Sequence, residues 1–153
     1  MTRISILAAV ILGASLPAGA YCVHNDLKDR PVLLLQEEHP SEARNPARLR
    51  VTLKPGTHTC CEVKNLDCNP NGRVNSLVGV YVTVEGPTPL ICGPIGVPEK
   101  MKLVKLTGAG VMRIVPNPRF NAKAKDSGAS PYIVRVWAHD NKDITGPSGL
   151  PCR

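Results

Sequence analysis

The stretch from Lys54 to Arg73 constrains this chain more than any other. It carries three of the six cysteines, two of them adjacent. On an extended strand neighbouring side chains point to opposite faces. Cys60 and Cys61 must therefore find different partners, because a bond between them would be strained. A chain that can satisfy both is one in which this stretch ties two directions of the fold together. Its proline, glycine, asparagine and aspartate content marks the rest of it as turns.

The N-terminus sets the redox context. Arg3 precedes an apolar run from Ile4 to Leu16, too short to span a bilayer. Pro17 ends that run, and Ala18-Gly19-Ala20 is a small-residue cleavage site. Residues 1–20 are expected to be a secretory signal peptide, and residues 21–153 a single mature domain. All six cysteines, Cys22, Cys60, Cys61, Cys68, Cys92 and Cys152, lie in the mature part. An even count in an oxidising compartment reads as three disulfides. Cys61–Cys68 or Cys60–Cys68 would close a short loop, and Cys152 would pin the C-terminus to the body. No other apolar run reaches transmembrane length, and no Asn-x-Ser/Thr sequon occurs.

Hydrophobic periodicity is two, not 3.6. Short strands are expected over 21–27, 32–37, 49–53, 74–85 and 132–138, with a short edge strand and a loop over 90–98. The clearest is the valine series Val78, Val80, Val82 and Val84, too rich in β-branched residues for a preferred helix. In the last strand Tyr132, Val134 and Val136 share one face; Ile133, Arg135 and Trp137 share the other. Residues 101–106 and 111–115 flank Thr107-Gly108-Ala109-Gly110 and read as a hairpin. The sum is an all-β chain, a disulfide-stabilised β-sandwich.

The catalytic and metal signals each fail on chemistry. Asp67-Cys68-Asn69-Pro70-Asn71-Gly72 matches the first half of a calcium loop, but Val78 stands where the bidentate glutamate belongs. His58 with Cys60, Cys61 and Cys68 has the wrong spacing for zinc, and its thiols are expected to be oxidised. A histidine-brace copper site needs an N-terminal His, and the mature chain begins at Tyr21. Glu37 and Glu38 are adjacent and cannot face each other across a glycosidase cleft. There is no G-x-S-x-G elbow. The reading is a non-catalytic protein without cofactor or metal.

What remains is charge. The chain carries a formal +7. The excess is concentrated in residues 100–135, where Lys100, Lys102, Lys105, Arg113, Arg119, Lys123, Lys125 and Arg135 face Asp126 alone. Such a surface favours anionic partners. The candidate binding surface is that set together with Tyr81 and Trp137. Tyr21, Tyr81 and Trp137 are also the candidates for a small sugar-stacking platform. Nucleic acid is not expected, because few aromatics interleave the basic residues.

Tyr21-Cys22-Val23-x-Asn25 directly after the cleavage site, Lys54-Pro55-Gly56-x-x-x-Cys60-Cys61, Asn65-x-Asp67-Cys68-Asn69, the valine strand and Cys92 together resemble small secreted cysteine-containing proteins of fungi, many of them effector-like. The resemblance covers the first half of the mature chain and leaves out Cys152 and the basic segment. It implies an extracellular protein acting on a host, a competitor or the cell's own wall. The expected function is that of a secreted binding protein engaging a host or cell-surface protein, or an anionic polysaccharide, through its basic surface. The alternatives are a carbohydrate or cell-wall binding module, and a small hydrolase or enzyme inhibitor.

Overall fold

The computed structural model describes residues 20–37, 49–123 and 129–153. The expected leader up to Gly19, the 38–48 segment and Lys125 lie outside the described residues. The fold is all-β; the described residues form two sheets with three disulfides and a 3-10 turn at Glu99–Met101. No helix among the described residues is long and apolar enough to cross a membrane.

The first sheet is built on β1 (Ala20–Asn25), which lies between β4 (His58–Glu62) and β8 (Val111–Pro116). It pairs antiparallel with β4 and parallel with β8. The sheet continues through β9 (Tyr132–Trp137) to β10 (Leu150–Pro151). The second sheet runs β3 (Arg50–Leu53), β2 (Val32–Gln36), β5 (Leu77–Val84), β6 (Leu90–Cys92). β5 is long enough to serve two partners on one edge: β6 pairs with its end and β7 (Val104–Thr107) with its start.

Alternation decides which side of each strand is buried. Val78, Val80, Val82 and Val84 of β5 are buried, as are Tyr21 and Val23 of β1, Met112 and Ile114 of β8, and Val134 and Val136 of β9. These inward residues of both sheets make one apolar cluster, which also takes in Cys61, Cys68, Cys92 and Cys152. Tyr21 is entirely enclosed, and its hydroxyl donates to the Cys68 carbonyl at 3.3 Å. Burial pushes its pKa far up. Tyr21 is thus a core residue, not part of a sugar platform.

The expected hairpin between residues 101–106 and 111–115 does not form. β7 pairs with β5 in the second sheet, and β8 with β1 and β9 in the first. The glycine turn between them carries the chain from one sheet to the other, and the cysteine-rich stretch holds it there. Gly108 N–H donates to the Ser76 carbonyl and Ala109 N–H to the Val74 carbonyl. A Cβ at Gly108 would stand 2.2 Å from the Arg73 carbonyl oxygen, so only glycine fits. Local turn chemistry predicts a turn but not which strands it joins.

The disulfides assign the two vicinal cysteines as alternation demands. Cys60 faces outward and bonds Cys22, directly opposite on β1; Cys61 faces the core and bonds Cys68. Cys92–Cys152 joins β6 to the C-terminal strand. That strand touches both sheets. Cys152 N–H donates to Tyr132 of β9 at 3.0 Å, while Ile91 and Arg153 exchange a pair of backbone hydrogen bonds at 2.8 and 3.0 Å. One edge of the second sheet is therefore stitched to the first by hydrogen bonds and a covalent link.

The half calcium motif folds as consecutive turns. Asn69 points inward and is completely buried. Its amide donates to the carbonyls of Val63 at 2.9 Å and Arg73 at 3.2 Å, and its carbonyl accepts from Ser76 Oγ at 2.6 Å. Replacing Asn69 with Ala leaves the buried Val63 carbonyl without that donor. The expected loss is about 1–3 kcal/mol, read as a lower urea midpoint at unchanged m-value with all three disulfides intact.

Candidate functional site

The strand register of the first sheet places four basic side chains abreast. His58 on β4 lies opposite His24 on β1, His24 opposite Arg113 on β8, and Arg113 opposite Arg135 on β9. His24, Arg113 and Arg135 each sit between, or next to, buried inward residues of their own strand, so all four project from the face turned away from the core. The row crosses three inter-strand spacings of about 4.8 Å, roughly 14 Å in all. The Cys22–Cys60 disulfide and Trp137 form the row alongside it.

Each member is held by a specific neighbour. The His24 and His58 rings stack, with centroids 5.0 Å apart and planes inclined by 21°. Arg113 donates to Asp26 at 2.8 Å. Arg135 is paired with Asp143, and its guanidinium lies 5.1 Å from the Trp137 ring centroid. Asp143 is fixed in turn by the backbone and hydroxyl of Thr145. Two nitrogens in the row are enclosed without a hydrogen-bond partner, His24 Nε2 and Arg135 Nε.

Two groups here titrate away from their usual ranges. Burial lowers the His24 pKa below 6.5, and the charges of Arg113 and His58 lower it further; Asp26 works in the opposite direction. For Asp143, burial acts to raise the pKa, but the hydrogen bonds from Arg135 and Thr145 and the Arg135 charge outweigh it. The carboxyl is held below 3.8.

The candidate residues taken from the sequence are not one surface. Arg113, Arg135 and Trp137 come together on the first sheet. Lys105 and Tyr81 project from the outer side of the second sheet, on β7 and β5. There the Glu37 carboxylate lies over Gly79, the residue opposite Lys105. Lys100 sits in the 3-10 turn, and Lys102 packs its stem over Gly93. Arg119 reaches Ser148 across the loop after β8, and Lys123 is exposed beyond it. Basic residues that are dense in the sequence are dispersed in space because the chain crosses from one sheet to the other within 100–135. Tyr81 and Trp137 belong to different sheets, so they share no stacking platform.

The candidate binding surface includes neither His24 nor His58, and the sequence offers His58 only as a candidate zinc ligand. Nothing in their spacing pairs them; only the β1–β4 register does. Among the described residues no three His, Cys, Asp or Glu side chains meet as a metal site would require. No protein-family model, curated protein or solved structure matches the chain.

The depressed His24 pKa makes stability depend on pH with a definite sign. A histidine whose folded pKa lies below its unfolded value binds more protons when unfolded, so stability rises with pH. Its contribution is complete above about 6.5 and is lost as pH falls from there to the lower pKa of the folded state. The melting temperature is expected to drop between pH 7.5 and 5.5, and the drop to be smaller in His24→Gln. Asp143, by contrast, acts only in the acid range around and below 3.8.

Proposed function

We propose that the protein is a secreted, non-catalytic binding protein, effector-like or acting at a cell surface. In this reading its two sheets form a β-sandwich, and the outer face of the first sheet engages an anionic polymer. The observation that carries this reading is the register row His58–His24–Arg113–Arg135. Four basic side chains at strand spacing form a linear, flat track suited to a chain of repeating negative charges. The mature chain, at a formal +6 once Arg3 leaves with the leader (7 − 1), adds a long-range field that draws such a polymer in.

The ion pairs on this face position its arginines without using them up. A guanidinium has five N–H donors, and a single carboxylate leaves several free. Arg113 and Asp26 side chains remain 43% and 34% exposed. Partly exposed pairs of this kind contribute at most about 1 kcal/mol to stability, so their main effect is to hold the fork in place. The same pairing supports a non-catalytic role, since Asp26 and Asp143 are both tied to guanidinium groups.

An anionic polymer is favoured over a neutral sugar because no other Trp, Tyr or Phe of the described strands shares the outward face of Trp137, and Arg135 engages its ring. The test is retention on an immobilised acidic polysaccharide over a salt gradient, comparing wild type with an Arg113→Gln, Arg135→Gln double variant and with Lys105→Glu. The double variant is expected to elute at much lower salt and Lys105→Glu close to wild type. Equal losses in both would assign binding to net charge and overturn the placement of the site. Failure of the wild type to bind at low salt would overturn the function.

A further inference from the structure

We propose that His24 and His58, with Arg113 beside them, form a proton-coupled oxyanion site at the centre of this face, taking up an acidic group of the polymer as the two imidazoles become charged. The inference rests on the functional reading above and specifies how that face is regulated. Its basis is geometric. β1 and β4 set the two histidines directly opposite each other, and their rings stack 5.0 Å apart. His24 Nε2 is enclosed and has no hydrogen-bond partner. In the parallel direction His24 lies opposite Arg113. The charged and titratable groups facing His24 are thus His58 from β4, Arg113 from β8 and Asp26 from the turn after β1. Asp26 is already hydrogen-bonded to Arg113.

Neutral rings tolerate this arrangement. Charged rings do not, because two imidazolium groups and a guanidinium would share one carboxylate. Protonation therefore acts against the stack. Opening the rings turns the enclosed Nε2 outward as an N–H donor and leaves a cationic pocket open to a carboxylate or sulfate. An oxyanion seated there supplies the missing countercharge and favours the protonated form. Proton uptake and anion binding then reinforce each other, as linkage requires in both directions. No covalent step is involved; protons come from solvent and return to it on release.

The probe is dextran sulfate, whose sulfate esters remain ionised across the range used, so that any pH effect belongs to the protein. Affinity is measured at fixed ionic strength at pH 7.5 and 5.0. Wild type is expected to bind about tenfold tighter at pH 5.0, the factor that corresponds to one unit of pKa change on binding. In His24→Gln and His58→Gln the ratio is expected to collapse to below about twofold, while His139→Gln, an exposed histidine elsewhere, keeps it. Histidine ring proton resonances, followed in wild-type protein, give a second measure that needs no variant: the His24 titration is expected to move to higher pH with dextran sulfate present. Binding that is equal at both pH values, a ratio that survives loss of both histidines, or an unmoved His24 titration would overturn the proton-coupled site and leave the binding function standing. Absence of binding at either pH would remove the binding function itself.

Discussion

The structure depends first on the double pairing of β1. This strand of six residues lies between β4 and β8, antiparallel to one and parallel to the other. A parallel neighbour cannot be supplied by a tight turn and needs a long excursion of the chain. Here that excursion takes in every strand of the second sheet and β4 of the first. The pairing is therefore non-local, and it is fixed by contacts on both sides of the strand. Outward, Cys22 is bonded to Cys60 on β4. Inward, Tyr21 fills the core and reaches the carbonyl of Cys68. At its last residue, Asn25 is wholly buried; its amide donates to the carbonyls of Arg30 and of Leu53 on β3. A slip of one residue would reverse every one of these faces.

The same register creates the candidate site. Because Cys22 and Cys60 are opposite each other, so are His24 and His58 two residues away. The disulfide that stabilises the sheet thus also fixes which histidines meet. It follows that the cysteine-rich stretch, though not itself a site, decides where one is. Asn69, Ser76 and Gly108 do the same for the other half of the row: they anchor the turn that delivers β8 to the first sheet, and with it Arg113.

What the sequence reveals and what it conceals divides along this line. Period-two alternation is a local property, so the valine face of β5 and the shared face of Arg135 and Trp137 can be read directly; which side of the sheet that second face takes is settled only by the register with β8. The vicinal cysteines likewise announce opposite faces. Strand partners are a different matter. The glycine turn after β7 looks the same whether it closes a hairpin or crosses between sheets, and only the carbonyls of Val74 and Ser76, brought from elsewhere, decide it. Basic residues crowded into 100–135 look like a patch because proximity in sequence is mistaken for proximity in space. The structure sends Lys105 to one sheet and Arg113 to the other. His24 and His58 are invisible for the converse reason, being distant in sequence and adjacent in the sheet.

The row's composition carries a final consequence. Were its purpose only to hold the sheet together, cross-strand pairs of opposite charge or apolar side chains would serve better, since like charges directly opposite are destabilising. Arg113 faces Arg135, and His24 faces both His58 and Arg113. Asp26 and Asp143 offset the arginines from outside the row, not from within it. The strands therefore hold side by side four groups that gain little from one another. The cost falls most on His24, which surrenders its proton more readily than a free imidazole and keeps an enclosed nitrogen without a partner. In the binding function proposed above, a negative charge lying across the row offsets that cost, so the arrangement that is unfavourable within the isolated chain becomes favourable in the complex.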